Sequence, residues 1–222
     1  MLLRVGCYDG KVNEYVVNEL GVNYMAGTRR RTQKDQTRRH LIEVALEQFA
    51  QEGLTTTRTA DIANAAGVSH GTVFAHFPTQ EVLVTAVIEE FGARVSTRLH
   101  ELAAGSTGLR DVLAAHLQGL KEFEAFYARL VIERRLLPES AQSTFTLIQS
   151  SISFHISQAA GKEMEEGTIH PWPIHLLFNT WVGLLHYYLA NGDLFAPEGS
   201  VLERYGEELL NHYVGLTGVK RC

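Results

Sequence analysis

An all-α fold is predicted for this chain by three observations. Apolar residues recur three and four positions apart through most of its 222 residues. No series of β-branched and aromatic runs punctuated by tight-turn dipeptides interrupts them. The breakers Gly105 to Gly108, Pro138, Gly161, Pro171 with Pro173, and Asn191 with Gly192 fall at helical intervals.

In order along the chain, residues 1–27 follow no sustained period and are expected to form a poorly ordered N-terminal extension, with Met25 a second possible start. A first helix is expected from about Lys34 to Gln51, where Leu41, Ile42, Ala45, Leu46, Phe49 and Ala50 make a stripe and Gly53 supplies a stop. Two short helices follow, about 58–66 and 69–76, separated only by Gly67 and Val68, and Pro78 closes the second. Thr79 is the expected N-cap of a longer helix reaching about Ala104, with Val82, Leu83, Ala86, Val87, Phe91, Val95 and Leu99 on one side. Further helices are expected near 109–123, 126–136, 139–160, 173–190 and 201–216.

Composition bounds the function. Hydrophobic residues make up 45% and charged residues 20%, as in an ordinary soluble globule. No stretch reaches the roughly 20 apolar residues of a membrane span and no export signal is evident, so a cytoplasmic location without membrane partners is expected. Two cysteines, Cys7 and Cys222, are too few for a disulfide framework or a thiolate metal site. The net charge of −5 hides an asymmetry. Residues 28–39 hold Arg29, Arg30, Arg31, Lys34, Arg38 and Arg39 against Asp35, whereas residues 79–222 hold 11 basic and 17 acidic residues. A basic head and an acidic body suit two different partners.

The most informative stretch runs from Thr57 to Phe77. Two short helices joined by a glycine turn are the signature of a helix-turn-helix, whose second helix enters the DNA major groove. Thr57 is expected to cap the first helix, Ile62 and Ala63 to face inward, and Ala66 to let the helices approach. Gly67 supplies a positive φ, and Val68 plugs the space beneath the turn. Ser69 is the expected cap of the second helix, leaving Gly71 and Thr72 free to approach phosphate or base edges, while Val73 and Phe77 face the core.

The stretch from Gln36 to Phe91 resembles the N-terminal DNA-binding domain of the TetR family of bacterial transcriptional regulators. The stretch covers about a quarter of the chain, and the resemblance is carried by Gly53-Leu54, Ile62-Ala63, Ala66-Gly67-Val68-Ser69, Thr72-Val73-Phe74 and His76-Phe77-Pro78. It implies a helix-turn-helix domain over 28–78 and a larger helical effector-binding and dimerisation domain over 79–222. It also implies DNA contacts from Thr57, Arg58, Ser69, His70, Thr72, Phe74 and His76, with Gly71 among them and the helix starting near Gln80 meeting a phosphate. Phe74 departs from the family's usual tyrosine and cannot donate a hydroxyl to phosphate, so that contact is expected to be lost and the ring to serve only in packing. Gln80 stands where lysine is common and His70 where lysine is frequent. The arm Arg29 to Arg31 is expected to compensate along the backbone or in the minor groove.

One such helix reads only a few base pairs, so a homodimer on a pseudo-palindromic operator is expected. Its interface is sought in the last two helices, at Trp181, Val182, Leu185, Tyr188, Leu189, Leu202, Leu209 and Tyr213; closure of the monomer core by the same residues is an equal alternative. The body is the expected sensor, with Phe123, Phe126, Tyr127, Phe154, His155, Trp172, His175, Phe178 and Trp181 as candidate lining for an apolar or aromatic effector. The resulting expectation is a repressor, not an enzyme, that a small molecule releases from DNA.

Three other readings compete. Gly67-Val68-Ser69-His70-Gly71 fits the G-x-S-x-G nucleophile elbow, with Asp193 and His212 following, but the alanine-rich segment before it is helical where an elbow needs a strand. His175 and His186, eleven residues apart on one helix, stand about 16 Å apart and cannot share an ion, so neither a metal nor a cofactor is expected. The alternative from another class is a helical small-molecule-binding or catalytic protein whose helix-turn-helix is merely structural.

Overall fold

The computed structural model describes the backbone of residues 5–8, 11–14, 24–103 and 108–218, and side chains from 31 to 102 and 108 to 218. It consists of two units, residues 1–39 and 40–222. The first holds a short antiparallel hairpin, β1 (Val5–Tyr8) and β2 (Lys11–Glu14), with Val5 opposite Glu14 and Tyr8 opposite Lys11. It departs from the strand-free expectation, and Asp9-Gly10, a dipeptide favoured in two-residue hairpin loops, lies between the strands in sequence. The same unit contains the opening turns of α1 (Tyr24–Glu52), which begins ten residues before the expected start. Hydrophobic periodicity marks only the buried part of a helix, and the buried stripe begins at Leu41.

In the second unit the remainder of α1 is followed by α2 (Thr59–Ala65), α3 (His70–His76) and α4 (Gln80–Ala103). Leu41, Ala45 and Phe49 of α1 pack with Ile62 of α2, with Val73 of α3 and with Phe77 just after it, all fully buried. Thr79 caps α4 as expected, its hydroxyl oxygen accepting from the Val82 N–H at 3.2 Å.

The rest of this unit comprises α5 (Leu109–Lys121), α6 (Glu124–Glu133), a 3₁₀ turn (Arg134–Leu136), α7 (Glu139–Glu165), α8 (Ile174–Ala190), α9 (Gly192–Phe195) and α10 (Val201–Thr217). Helix α5 is central and packs against α4, α7 and α10. Helix α7 passes through Gly161, the expected breaker, and ends ahead of Gly167, whose φ of +71° is the left-handed conformation that closes a helix. Asn191 and Gly192 end α8, yet Gly192 opens the single turn of α9.

Candidate nucleic-acid interface

The turn between α2 and α3 follows from its sequence. Gly67 adopts φ +66°, and the Gly67 and Val68 amides donate to the Asn64 and Ala63 carbonyls at 3.2 and 3.0 Å, closing α2 within two residues. Ser69 then caps α3: its Oγ accepts from the Thr72 N–H at 3.1 Å and lies 2.9 Å from the Thr72 hydroxyl. A helix precedes this serine, so the nucleophile-elbow reading fails on geometry.

The start of α2 differs from expectation. Arg58, not Thr57, is the N-cap, with its N–H donating to the Asp61 carboxylate at 2.8 Å. Thr57 is buried and its hydroxyl donates to the Gly53 carbonyl at 2.7 Å, so it braces the turn and cannot reach DNA. Gln80 is committed in the same way. Its carbonyl accepts from the Thr59 N–H at 3.1 Å and its amide donates to the Thr57 carbonyl, binding the start of α4 to the start of α2.

On α3, His70, Gly71, Phe74 and Ala75 are exposed, Thr72 and His76 are half-buried, and Val73 is buried. Exposed Ala75 was missed by sequence reasoning, since a methyl group carries no chemical signal. His70 Nε2 lies 3.0 Å from the Thr59 hydroxyl, and its ring meets Phe74 edge-on at 4.6 Å. Ser69 and Arg58 are exposed beside them. Arg31 is exposed in the first unit; the side chains of Arg29 and Arg30 lie outside the described residues.

Helix α6 connects this domain to the body. Glu133, nearly buried, accepts from the Thr55 N–H at 2.8 Å and from its hydroxyl at 2.7 Å, and Arg129 donates to the Gln51 carbonyl at 3.0 Å. Earlier on α6, the Tyr127 hydroxyl is hydrogen-bonded to His186 of α8 at 2.7 Å. At the start of α6, the Glu124 carboxylate accepts from Ser200 and from the Val201 and Leu202 amides, at 2.6 and 3.1 Å for the amides, capping α10. The sequence carries no signal for these bonds, which join residues 59 to 78 positions apart.

Of the candidate effector lining, Phe126, Tyr127, Phe178 and Trp181 are buried and Phe123 is half-buried. Phe91 gathers Phe123, Phe126 and Tyr127 at ring distances of 5.9, 5.3 and 5.5 Å. Phe154, His155 and His175 are corrections: all three are exposed, because the inner face of α7 is Ile152, Ile156, Ala159 and Ala160, and that of α8 begins at Leu177. Trp172 is half-buried against Met164, its backbone N–H pointing at the sulfur from 3.2 Å.

Trp181 donates its indole N–H to His116 Nδ1 at 3.1 Å, which places the His116 proton on Nε2. That buried N–H has no acceptor among the described residues. Burial, and then the neighbouring His186, push His116 down to about 4; burial, and then Arg134, push His186 down to about 4. Burial raises the Tyr127 hydroxyl above its usual range. Both histidines are therefore neutral near pH 7, whereas in the unfolded chain they take up protons near pH 6.5. Their contribution to stability is intact above pH 6.5 and is lost as pH falls toward 4, at up to about 1.4 kcal/mol per pH unit for each. Melting temperatures measured between pH 7 and pH 5 are expected to fall, and less steeply in His186→Asn.

The expected dimer residues Trp181, Val182, Leu185, Leu189, Leu202, Leu209 and Tyr213 are buried within the protomer, and only Tyr188 is half-buried. These residues close the monomer core. The outward face of α8 is instead Leu176, Thr180, Gly183 and Tyr187, with Leu184 half-buried; His212 and Leu216 are exposed on α10. An open depression of about 830 Å³, lined by Leu184, Tyr188, Glu208, Leu209, Asn211 and His212, lies between α8 and α10.

With this geometry in place, the family model described as bacterial regulatory proteins, tetR family, matches residues 41–87, the buried stripe of α1 through the first turns of α4. Residues 41–87 thus carry a DNA-binding domain of the tetR-family type. An uncharacterised HTH-type transcriptional regulator of Bacillus subtilis, YuxN, is 28% identical over 137 residues, 58% of this chain and 47% of that protein. The HTH-type transcriptional repressor Rv3405c of Mycobacterium tuberculosis is 35% identical over 72 residues, 32% of this chain and 38% of that one. The matches thus span at most about half the length of these curated relatives. A TetR-family regulator from Agrobacterium tumefaciens superimposes with a TM-score of 0.70 over 84% of this chain and 100% of its own, at 14% identity, so the two share a fold that extends through the body. No helix among the described residues is long and apolar enough to cross a membrane.

Proposed function

We propose that this chain is a cytoplasmic, homodimeric transcriptional repressor of the tetR family that binds a pseudo-palindromic operator and is released by a small molecule. The observation that carries the reading is α3, capped by Ser69 and exposed along His70, Gly71, Phe74 and Ala75, behind a helix braced on a buried core. Arg29 to Arg31 and Arg58 supply cations for the phosphate backbone. Electrophoretic mobility shift against the DNA flanking the protein's own gene tests the reading: a salt-sensitive, sequence-selective complex is expected, and binding indifferent to sequence overturns it.

Two copies meet through the exposed faces of α8 and α10. Gly183 supports this placement, because a Cβ there meets no atom within 4 Å and a close approach by a second helix is open. Gly183→Arg is expected to leave the protomer folded and convert the dimer to monomer, read by sedimentation, with loss of operator binding.

The effector is apolar or aromatic and carries a hydrogen-bond acceptor. The rings around Phe91 supply the apolar surroundings, and the unpartnered His116 N–H supplies the donor. Binding that displaces Tyr127 or His186 moves α6 and α4 together and changes the separation of the two α3 helices, which must match a groove repeat of about 34 to 36 Å.

A further inference from the structure

We propose that α3 reads its operator through thymine methyl groups, with the Phe74 ring as the principal base contact. This rests on the reading of the protein as a DNA-binding repressor and adds the chemistry of the sequence it selects.

The seven residues of α3, His-Gly-Thr-Val-Phe-Ala-His, include no Arg, Lys, Asn, Gln, Asp or Glu. Those are the side chains that pair with guanine, adenine and cytosine edges in the major groove. The polar side chains that remain are largely engaged. Thr72 is half-buried with its hydroxyl against Ser69 Oγ, and His70 directs Nε2 back to Thr59 at 3.0 Å. The outward surface therefore consists of His70, whose Nε2 is turned to Thr59, with Gly71, the Ala75 methyl and the Phe74 ring, which is 41% exposed.

That ring is held in place. The edge-to-face contact with His70 at 4.6 Å, and the bond from His70 to Thr59 of α2, fix its direction from the first helix of the motif. The only apolar group a base pair offers in the major groove is the thymine C5 methyl. Gly71 and Ala75 add almost no bulk, so the helix can sit deep enough for the ring to reach it. An isolated exposed phenylalanine is unremarkable on a general surface. Here it is the largest side chain on the one helix that must enter the groove.

The test selects sites from a random duplex library with the full-length protein, then replaces each thymine of the selected half-sites by deoxyuracil, which removes only the methyl. Thymines are expected where α3 lies. At the critical one, deoxyuracil is expected to weaken wild-type binding about fourfold, the worth of one buried methyl. Phe74→Ala, whose exposure leaves folding intact as checked by its melting temperature, is expected to bind the two duplexes equally. Phe74→Tyr, which keeps the ring, should retain the discrimination. A selected site indifferent to every deoxyuracil exchange, or a Phe74→Ala protein that still discriminates, overturns the thymine proposal while leaving DNA binding in place. Failure to enrich any site overturns the repressor reading and this inference with it.

Discussion

Trp181→Ala is expected to destabilise the protein by about 3–5 kcal/mol, the range for truncating a fully buried large aromatic. The side chain is fully buried, its ring lies 5.1 Å from that of Tyr213, and its indole N–H is bonded to His116. Truncation opens a cavity and strips His116 of its remaining hydrogen bond. Trp181→Phe should retain much of the volume and cost less, while still leaving Nδ1 without its donor. Denaturant unfolding measures both. The experiment also decides between a core and an interface role: an interface residue would yield a folded monomer, whereas the burial of Trp181 requires unfolding that a higher protein concentration does not rescue.

Gly53→Ala is the second large effect, with an expected loss of about 2–4 kcal/mol and weaker operator binding. Gly53 adopts φ +96°, where an L-residue costs about 1–2 kcal/mol, and a Cβ would stand 2.5 Å from Glu133 Oε1. The new methyl therefore displaces the carboxylate that receives both hydrogen bonds from Thr55. In a Glu133→Ala background the collision with the carboxylate disappears, and the same substitution should cost only the conformational strain and a 3.1 Å approach to the Thr56 hydroxyl. A double-mutant cycle by thermal or denaturant unfolding is expected to give a coupling of about 1–3 kcal/mol.

Much of this architecture was legible because local rules suffice for it. Gly67 and Ser69 announce a turn and a cap through properties of their own, Thr79 does the same for α4, and the stripe from Leu41 to Phe49 marks a buried face. Residues whose roles depend on distant partners were read less well. Thr57 and Gln80 looked like polar groups available to DNA, yet they bond to the backbone around each other. Apolar periodicity in α8 and α10 identified buried faces, but a buried face looks the same whether its neighbour is the same chain or a second copy. Phe154, His155 and His175 fail for a related reason: aromatic character gives no azimuth, and the inward direction of α7 is set by Ile152 and Ile156. Glu133 and Glu124 were invisible, since a carboxylate that clamps another helix reads in sequence as one more solvated charge.

The attachment of α6 at its start, its middle and its end leaves the helix without slack. A ten-residue rod fixed to α10 by Glu124, to α8 by Tyr127, to the end of α1 by Arg129 and to the turn before α2 by Glu133 cannot yield at one joint without loading the next. On the proposed function, alleles deaf to the effector yet still able to bind the operator are therefore expected to cluster at these joints, remote from the duplex.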